Sequence, residues 1–174
     1  MSGLLTTNSI AFIGLCNEYC KALERAGESS RKEFIANMLR LLPRIYISAS
    51  DLDAGESDYD SYMESSLDED YYDSIRRDIE SLMGPADIYL EVFEEDMKYS
   101  DTPIAASISE CLADIFQALY NFLAMVKDSP EEFILSSIAA VKEEFGAYWG
   151  QTLCNVLRAL NHLKYGGADS EDDY

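Results

Sequence analysis

The chain has 174 residues, of which 48% are hydrophobic, and it carries a formal net charge of −20 at pH 7. This length and apolar fraction are typical of a single globular domain and exclude disorder throughout the chain. The strong negative charge disfavours binding to nucleic-acid backbones and to anionic membrane surfaces.

Targeting signals and cysteine usage indicate the compartment. The N-terminal segment MSGLLTTNSIAFIGLC has an apolar run with no basic residue before it, which argues against a signal peptide, and no stretch reaches the roughly 20 apolar residues of a membrane span. Cys16, Cys20, Cys111 and Cys154 form no CxxC pair, and a single histidine cannot complete a zinc site of the usual spacing. Because each cysteine lies in an apolar helical pattern, we expect buried free thiols in a reducing, cytoplasmic environment.

Apolar residues recur every three or four positions along most of the chain, which is the helical period. The pattern predicts a first helix over residues 9–26, ended by Gly27. A second helix is expected to begin at a cap formed by Ser29 or Ser30 and to be kinked at Pro43.

The helical pattern stops over residues 51–73, a stretch with ten acidic residues, four tyrosines and no basic residue. Its first residues, DLDAG, resemble the start of a calcium-binding loop. However, Gly55 at position five is not an oxygen ligand, Glu56 replaces the glycine of position six, and Tyr62 replaces the glutamate of position twelve. We therefore predict that residues 51–66 form an acidic, tyrosine-rich connector before a third helix over residues 67–82.

Further helices are predicted in the second half of the chain. A short fourth helix is expected over residues 86–97, and a fifth from Thr102 as cap and Pro103 as first residue to Lys127. Ser129 is the expected cap of the last helix, which runs to Tyr165 with an interruption near Gly146.

No strand alternation, internal repeat or sustained heptad is visible in the sequence. The prediction is an all-α, single-domain bundle of six or seven helices in up-down-like packing over residues 1–166. Residues 167–174 are expected to be an acidic, flexible tail.

Four acidic residues in the middle of the chain raise the possibility of catalysis. Glu91 and Glu94 form an ExxE pair, and Glu110 and Asp114 form an ExxxD pair. This arrangement is similar to that of the all-α nucleotide pyrophosphohydrolases, which hold magnesium with ExxE on one helix and ExxD on the next. At about 100° per residue, however, these acids lie mostly opposite the apolar faces of their predicted helices, so solvated faces are favoured over an inward cage.

The last helix carries a polar stripe that lacks acidic residues, although most other exposed helix faces of the chain are acidic. Its residues follow one another at intervals of three and four positions: Tyr148, Gln151, Asn155, Arg158 and His162. Amide, guanidinium and imidazole groups suit recognition of a polar ligand or of another helix. The alternatives are a plain solvent face or hydrogen bonds to another helix of the same chain.

A second candidate surface is a basic patch containing Arg40 and Arg44. These arginines could instead pair with neighbouring acids, which contributes under about 1 kcal/mol when the pair is exposed. Nucleophilic catalysis is poorly supported, because the chain has one histidine, no GxSxG motif and no glycine-rich phosphate loop after a strand.

A resemblance to known proteins is carried by three segments, LLPRIYISAS at 41–50, YLEVFEEDMKYSDTPIAASISECLADIFQAL at 89–119, and FGAYWGQTLCNVLRALNHL at 145–163. They resemble a small all-helical bacterial family of domains of unknown function. The resemblance implies a compact helical domain and transfers no catalytic residue.

The sequence therefore favours a non-enzymatic cytoplasmic helical domain that binds an unidentified protein partner or a second copy of itself, without a metal or cofactor. The alternative hypothesis is a magnesium-dependent nucleotide pyrophosphohydrolase that uses Glu91, Glu94, Glu110 and Asp114.

Overall fold

The computed structural model describes residues 5–55, 64–91 and 104–166. Within these ranges the chain is predominantly helical and forms one domain, with a small two-stranded sheet. The helices are α1 (Thr7–Glu24), α2 (Arg31–Ser50), α3 (Glu69–Met83), α4 (Ile108–Val126), α5 (Glu131–Glu144) and α6 (Gly150–Tyr165), and the strands are β1 (Ile88–Leu90) and β2 (Ala105–Ser107).

The starts of the helices follow ordinary capping chemistry. The Ser30 side chain accepts a hydrogen bond from the Glu33 amide at 3.2 Å, so Ser30 is the cap of α2 as predicted. The predicted Ser129 cap is wrong, because the Ser129 hydroxyl donates to the Met125 carbonyl at 2.6 Å and Pro130 occupies the cap position of α5. The hydroxyl thus satisfies a carbonyl at the end of α4 rather than an amide at the start of α5.

The predicted fourth helix, residues 86–97, is wrong over its described part. A 3-10 turn over Gly84–Asp87 leads into β1, which pairs antiparallel with β2 in the register Ile88 opposite Ser107 and Leu90 opposite Ala105. The rest of the predicted helix, with Thr102 and Pro103, lies outside the described residues. Because Ala105–Ser107 form β2, α4 begins at Ile108 and not near Pro103, where the fifth helix was predicted to begin.

The buried Asp87 carboxylate explains why the chain adopts a hairpin here. It accepts hydrogen bonds from the Ser107 hydroxyl at 2.9 Å and from the Ser109 amide and hydroxyl, both at 2.7 Å. These contacts hold the end of the 3-10 turn against the start of α4, where the helix dipole favours a negative charge. Periodicity alone cannot reveal such a contact, because its partners are about 20 residues apart in sequence.

The last helix widens where an interruption near Gly146 was predicted. A π-helical turn over Phe145–Trp149 joins α5 to α6 without a break. A Cβ atom at Gly150 would lie 2.6 Å from the Phe145 carbonyl oxygen, so only glycine fits the widened turn. Counted as uninterrupted rods, the described residues form five helices, slightly fewer than the six or seven predicted.

The core lies around α4, which packs against α1, α3, α5 and α6, while α2 packs against α1 and α6. Its largest members are fully buried aromatic residues, including Phe12, Tyr19, Phe116 and Trp149. The Tyr19 hydroxyl donates to the Leu112 carbonyl at 2.7 Å, which satisfies a polar group deep in the core.

The predicted connector is described in part. The buried Asn121 side chain accepts hydrogen bonds from the Ser66 and Leu67 amides, both at 2.9 Å, and so fixes the end of the predicted connector to α4. Residues 56–63 and the predicted tail lie outside the described residues.

All four cysteines are free, but Cys154 is exposed and Cys111 only partly buried, so the prediction of four buried thiols is wrong for these two. Among the described helices, none has the length and apolar character needed to cross a bilayer.

Candidate functional site

Packing of α2 against α6 creates a groove between the two helices, with a volume of about 700 Å³. Three cationic side chains line it, Arg40 from α2 and Arg158 and Lys164 from α6. Among the described residues that line this α2–α6 groove, none is acidic. The groove is therefore a basic site on a chain whose net charge is −20.

Helical spacing explains how the groove is assembled. On α2 the lining residues include Leu39, Arg40 and Pro43, and on α6 they recur at intervals of one and three positions from Cys154 to Tyr165. Residues three or four positions apart lie on the same side of a helix, so each helix contributes one continuous face. Leu39, Pro43 and Leu157 add apolar surface to the basic groove.

The predicted stripe on α6 and the α2–α6 groove are adjacent faces that share Arg158. At about 100° per residue, the stripe is centred roughly a quarter turn from the groove face. The groove residues Cys154, Asn161 and Lys164 were missed as candidates, although their spacing from Arg158 could have shown that they lie on one side of α6. Which side of α6 faces α2 depends on tertiary packing.

Two of the stripe residues make contacts with other elements. The Tyr148 hydroxyl donates to Asp114 Oδ2 at 2.8 Å. The Arg158 guanidinium donates to the Leu90 carbonyl at 2.5 Å and lies 6.0 Å from the centre of the Tyr89 ring. Internal hydrogen bonding, the alternative considered for this stripe, thus applies to its first residue and to part of the Arg158 guanidinium.

The remaining stripe residues are open to solvent to different degrees. The exposed Gln151 donates to Asn155 Oδ1 at 2.9 Å, and His162 is exposed at the end of α6. On α2, Arg40 and Arg44 are both exposed, but only Arg40 lines the groove. The two surfaces predicted separately therefore meet at Arg40 and Arg158.

The acidic residues proposed for magnesium binding are only partly brought together. Glu91 is buried, with 7% of its surface exposed, because it follows a strand instead of lying on the outer face of a helix. The expectation that it projects outward is wrong. Glu110 is exposed, Asp114 is half-buried, and Glu94 lies outside the described residues.

Neutral hydrogen-bond donors surround these carboxylates. Asp114 accepts from the Tyr72 hydroxyl at 2.5 Å as well as from Tyr148. Glu91 Oε1 accepts from the Tyr89 hydroxyl at 2.8 Å, whereas its Oε2 is buried without a hydrogen-bond partner. Within residues 5–55, 64–91 and 104–166, no three His, Cys, Asp or Glu side chains are arranged to hold a metal ion.

Cys111 lies beside this acidic cluster but is not activated as a nucleophile. Its sulfur is 3.2 Å from the Tyr89 hydroxyl, and because that hydroxyl donates to Glu91, the thiol must donate to Tyr89. Burial raises the pKa of the Cys111 thiol to about 11, and the nearby carboxylates act in the same direction. The thiol is therefore protonated at neutral pH, which is the unreactive form.

A larger depression of about 1070 Å³ lies between the end of α4 and the start of α5. Its lining includes Glu64, Asp128 and Glu132, together with the exposed ring of Phe133. It contains none of the residues selected from the sequence, and it adjoins residues outside the described ranges at Glu64. We therefore assign it no role.

The match to a protein-family model covers residues 4–166 and is to a domain of unknown function, DUF5063. The chain belongs to the DUF5063 family. This membership confirms the resemblance to a family with no assigned activity. Comparison with curated proteins gives no match.

A solved structure supports the fold of this DUF5063 chain. The crystal structure of protein BF1032 from Bacteroides fragilis is similar to it, with a TM-score of 0.82 and 33% sequence identity. The match covers 95% of this chain and 98% of that one. The likeness between the two proteins thus covers nearly the whole length of both chains.

Proposed function

We propose that this DUF5063 chain is a non-enzymatic domain that binds another protein through the α2–α6 groove and the adjoining part of α6. The observation that carries the proposal is that Arg40 of α2 and Arg158, the stripe residue shared with the groove face of α6, line a single groove. Packing of α2 on α6 thereby places two guanidinium groups beside apolar side chains in one groove.

The composition of the groove fits a protein-binding surface. Protein interfaces combine an apolar centre with a polar rim and are enriched in arginine and tyrosine. The groove offers Leu39, Pro43 and Leu157 as apolar contacts, with Arg40 and Arg158 beside them. Tyr165 lines one end and is 71% exposed, so an aromatic ring is available to a partner.

The proposal is tested by comparing three versions of the chain as bait: the natural sequence, Arg40→Glu and Arg44→Glu. The two substitutions change the same residue type on the same helix, one turn apart, but only Arg40 lines the groove. We expect a captured protein that is retained by Arg44→Glu, lost with Arg40→Glu, and able to bind the purified chain in calorimetry. If all captured proteins are retained equally by both variants, or none binds the purified chain, the proposal is wrong.

A magnesium-dependent nucleotide pyrophosphohydrolase is a second candidate function. It is favoured by one observation, the buried Glu91 Oε2 that has no hydrogen-bond partner. The described residues do not fit a magnesium site, because both oxygens of Asp114 accept from tyrosines and Glu110 is exposed.

Pyrophosphate release from a panel of nucleoside triphosphates, with and without magnesium, separates the two functions. Magnesium-dependent release that is lost in Glu110→Gln would establish the enzyme. Absence of release across the panel would favour the binding domain.

A further inference from the structure

We infer that the occupant of the α2–α6 groove is an acidic segment of a partner protein, whose carboxylates contact Arg40, Arg158 and Lys164 and whose apolar side chains contact Leu39, Pro43 and Leu157. This inference rests on the proposed function and specifies the chemistry of the partner. It follows from the charge of the groove, the unused hydrogen-bond donors of its cations and the spacing of those cations.

The charge of the groove is opposite to that of the chain as a whole. Three cationic side chains line it, although the formal net charge of the chain is −20. At physiological salt the Debye length is about 8 Å, so distant acids are largely screened and the cations dominate within the groove. An acidic segment is therefore attracted locally despite the overall charge.

The cations of the groove have donors to spare. Within the described ranges, ion pairs involve Arg76 and Arg77 of α3, and none involves a groove cation. Arg158 uses one nitrogen for the Leu90 carbonyl, which leaves other N–H groups of its guanidinium available. The Lys164 ammonium lies 5.5 Å from the centre of the Tyr165 ring, a contact that requires none of its three N–H donors. An incoming carboxylate would therefore not have to displace an existing ion pair.

The spacing of the cations favours a polypeptide over a small anion. Arg158 and Lys164 are six residues apart on α6, about 9 Å along the helix axis at 1.5 Å per residue. Apolar side chains lie among the cations, whereas a phosphate site normally needs several donors converging on one point. A segment with alternating acidic and apolar residues satisfies both features.

The inference is tested with a short synthetic peptide of glutamate, aspartate, leucine and tyrosine, and with a control peptide in which the acids are replaced by their amides. We expect the acidic peptide to shift the backbone NMR signals of α2 and α6 around the groove. Its affinity, measured by calorimetry, is expected to fall about tenfold in Arg40→Glu and by clearly less in Arg44→Glu, which removes no groove contact. Circular dichroism of both variants checks that the helices are intact.

Other occupants give different results. Equal binding of the amide peptide at the groove would overturn the acidic specificity while leaving a protein-binding groove. Complete competition by inorganic phosphate, or concentration-dependent self-association at the groove without peptide, would assign it to a small anion or to a second copy and overturn the inference. Failure of the acidic peptide, combined with a bait-derived partner that binds at the groove, would overturn the inference alone. If the partner captured with the chain as bait instead binds outside the α2–α6 groove, the proposed function is overturned as well.

Discussion

At the scale of single residues, two tyrosine hydroxyls stabilise the position of α4 by donating hydrogen bonds to its Asp114. Tyr72 and Tyr148 both donate to Asp114, one from α3 and the other from the π-helical turn. A protonated hydroxyl can donate to a carboxylate, whereas a tyrosinate beside it adds a second negative charge. The three elements are therefore held together by contacts that depend on the tyrosines being neutral.

This arrangement makes the free energy of unfolding sensitive to alkaline pH. Burial, and then the hydrogen bond to Asp114, raises the pKa of Tyr148 to about 12 and raises that of Tyr72 also. Because the folded pKa lies above the unfolded value of about 10, this contribution is complete below pH 10 and is lost as the pH rises towards the folded value.

Urea denaturation at a series of pH values measures that dependence. We expect the free energy of unfolding to decline from about pH 10 upward, and the decline to be shallower in Tyr72→Phe/Tyr148→Phe. An unchanged slope in the double variant would contradict the role assigned to these two hydroxyls.

The four thiols are expected to differ in reactivity for reasons of burial. Cys154 is exposed in the groove, whereas burial raises the pKa of Cys20 to about 12 and that of Cys16 well above its usual value. At neutral pH, iodoacetamide should therefore label Cys154 first, and peptide mapping by mass spectrometry would identify the site. Labelling of Cys111 as fast as Cys154 would show that burial does not keep the Cys111 thiol protonated.

Secondary-structure elements could be predicted where local chemistry decides and not where tertiary contacts decide. The α2 start at Ser30 depends on residues within one turn and was correctly predicted. The hairpin depends on Asp87 reaching Ser109, and the π-helical turn goes with a buried Trp149 whose indole donates to the Val141 carbonyl at 3.3 Å. Sequence periodicity reveals neither contact. A helix was therefore predicted in place of the hairpin, and an interruption in place of the π-helical turn.

The π-helical turn can be tested by adding one methyl group. Gly150→Ala would place a Cβ atom 2.6 Å from the Phe145 carbonyl oxygen. We expect it to destabilise the fold by about 1–3 kcal/mol, the usual cost of overpacking. Urea denaturation gives the change in the free energy of unfolding.

Gly14→Ala is the matched control for this substitution. Gly14 lies within α1, and a Cβ atom there would meet nothing within 4 Å. Alanine at this position should therefore stabilise the fold by about 0.5–1 kcal/mol through its higher helix propensity. Effects of the same sign for the two variants would contradict the close approach at Gly150.

At the scale of the whole molecule, the candidate site could be predicted only in pieces. Arg40 and Arg158 were each selected from the sequence, on separate helices, because residue type and helical spacing are visible there. Their meeting requires α2 to lie beside α6, and the order of helices in space is not encoded in the spacing of either helix. Lys164 and Cys154 were missed for the same reason.

The net charge predicts opposite responses of folding and binding to salt. Repulsion among the acids of a chain with a charge of −20 opposes the compact state, so added sodium chloride should raise the melting temperature. The same salt should weaken the binding of an acidic peptide to the α2–α6 groove. Calorimetry and thermal melts over one salt series measure both, and binding that strengthens with salt would point to an apolar contact instead.

Hydrogen exchange with a purified partner bound tests the central claim most directly, because it shows where on the chain the partner lies. The account predicts that protection increases in residues 36–43 of α2 and 154–165 of α6, and that this increase disappears with Arg40→Glu. Protection confined to the side of α4 that carries Glu110 and Asp114, with α2 and α6 unchanged, would contradict it.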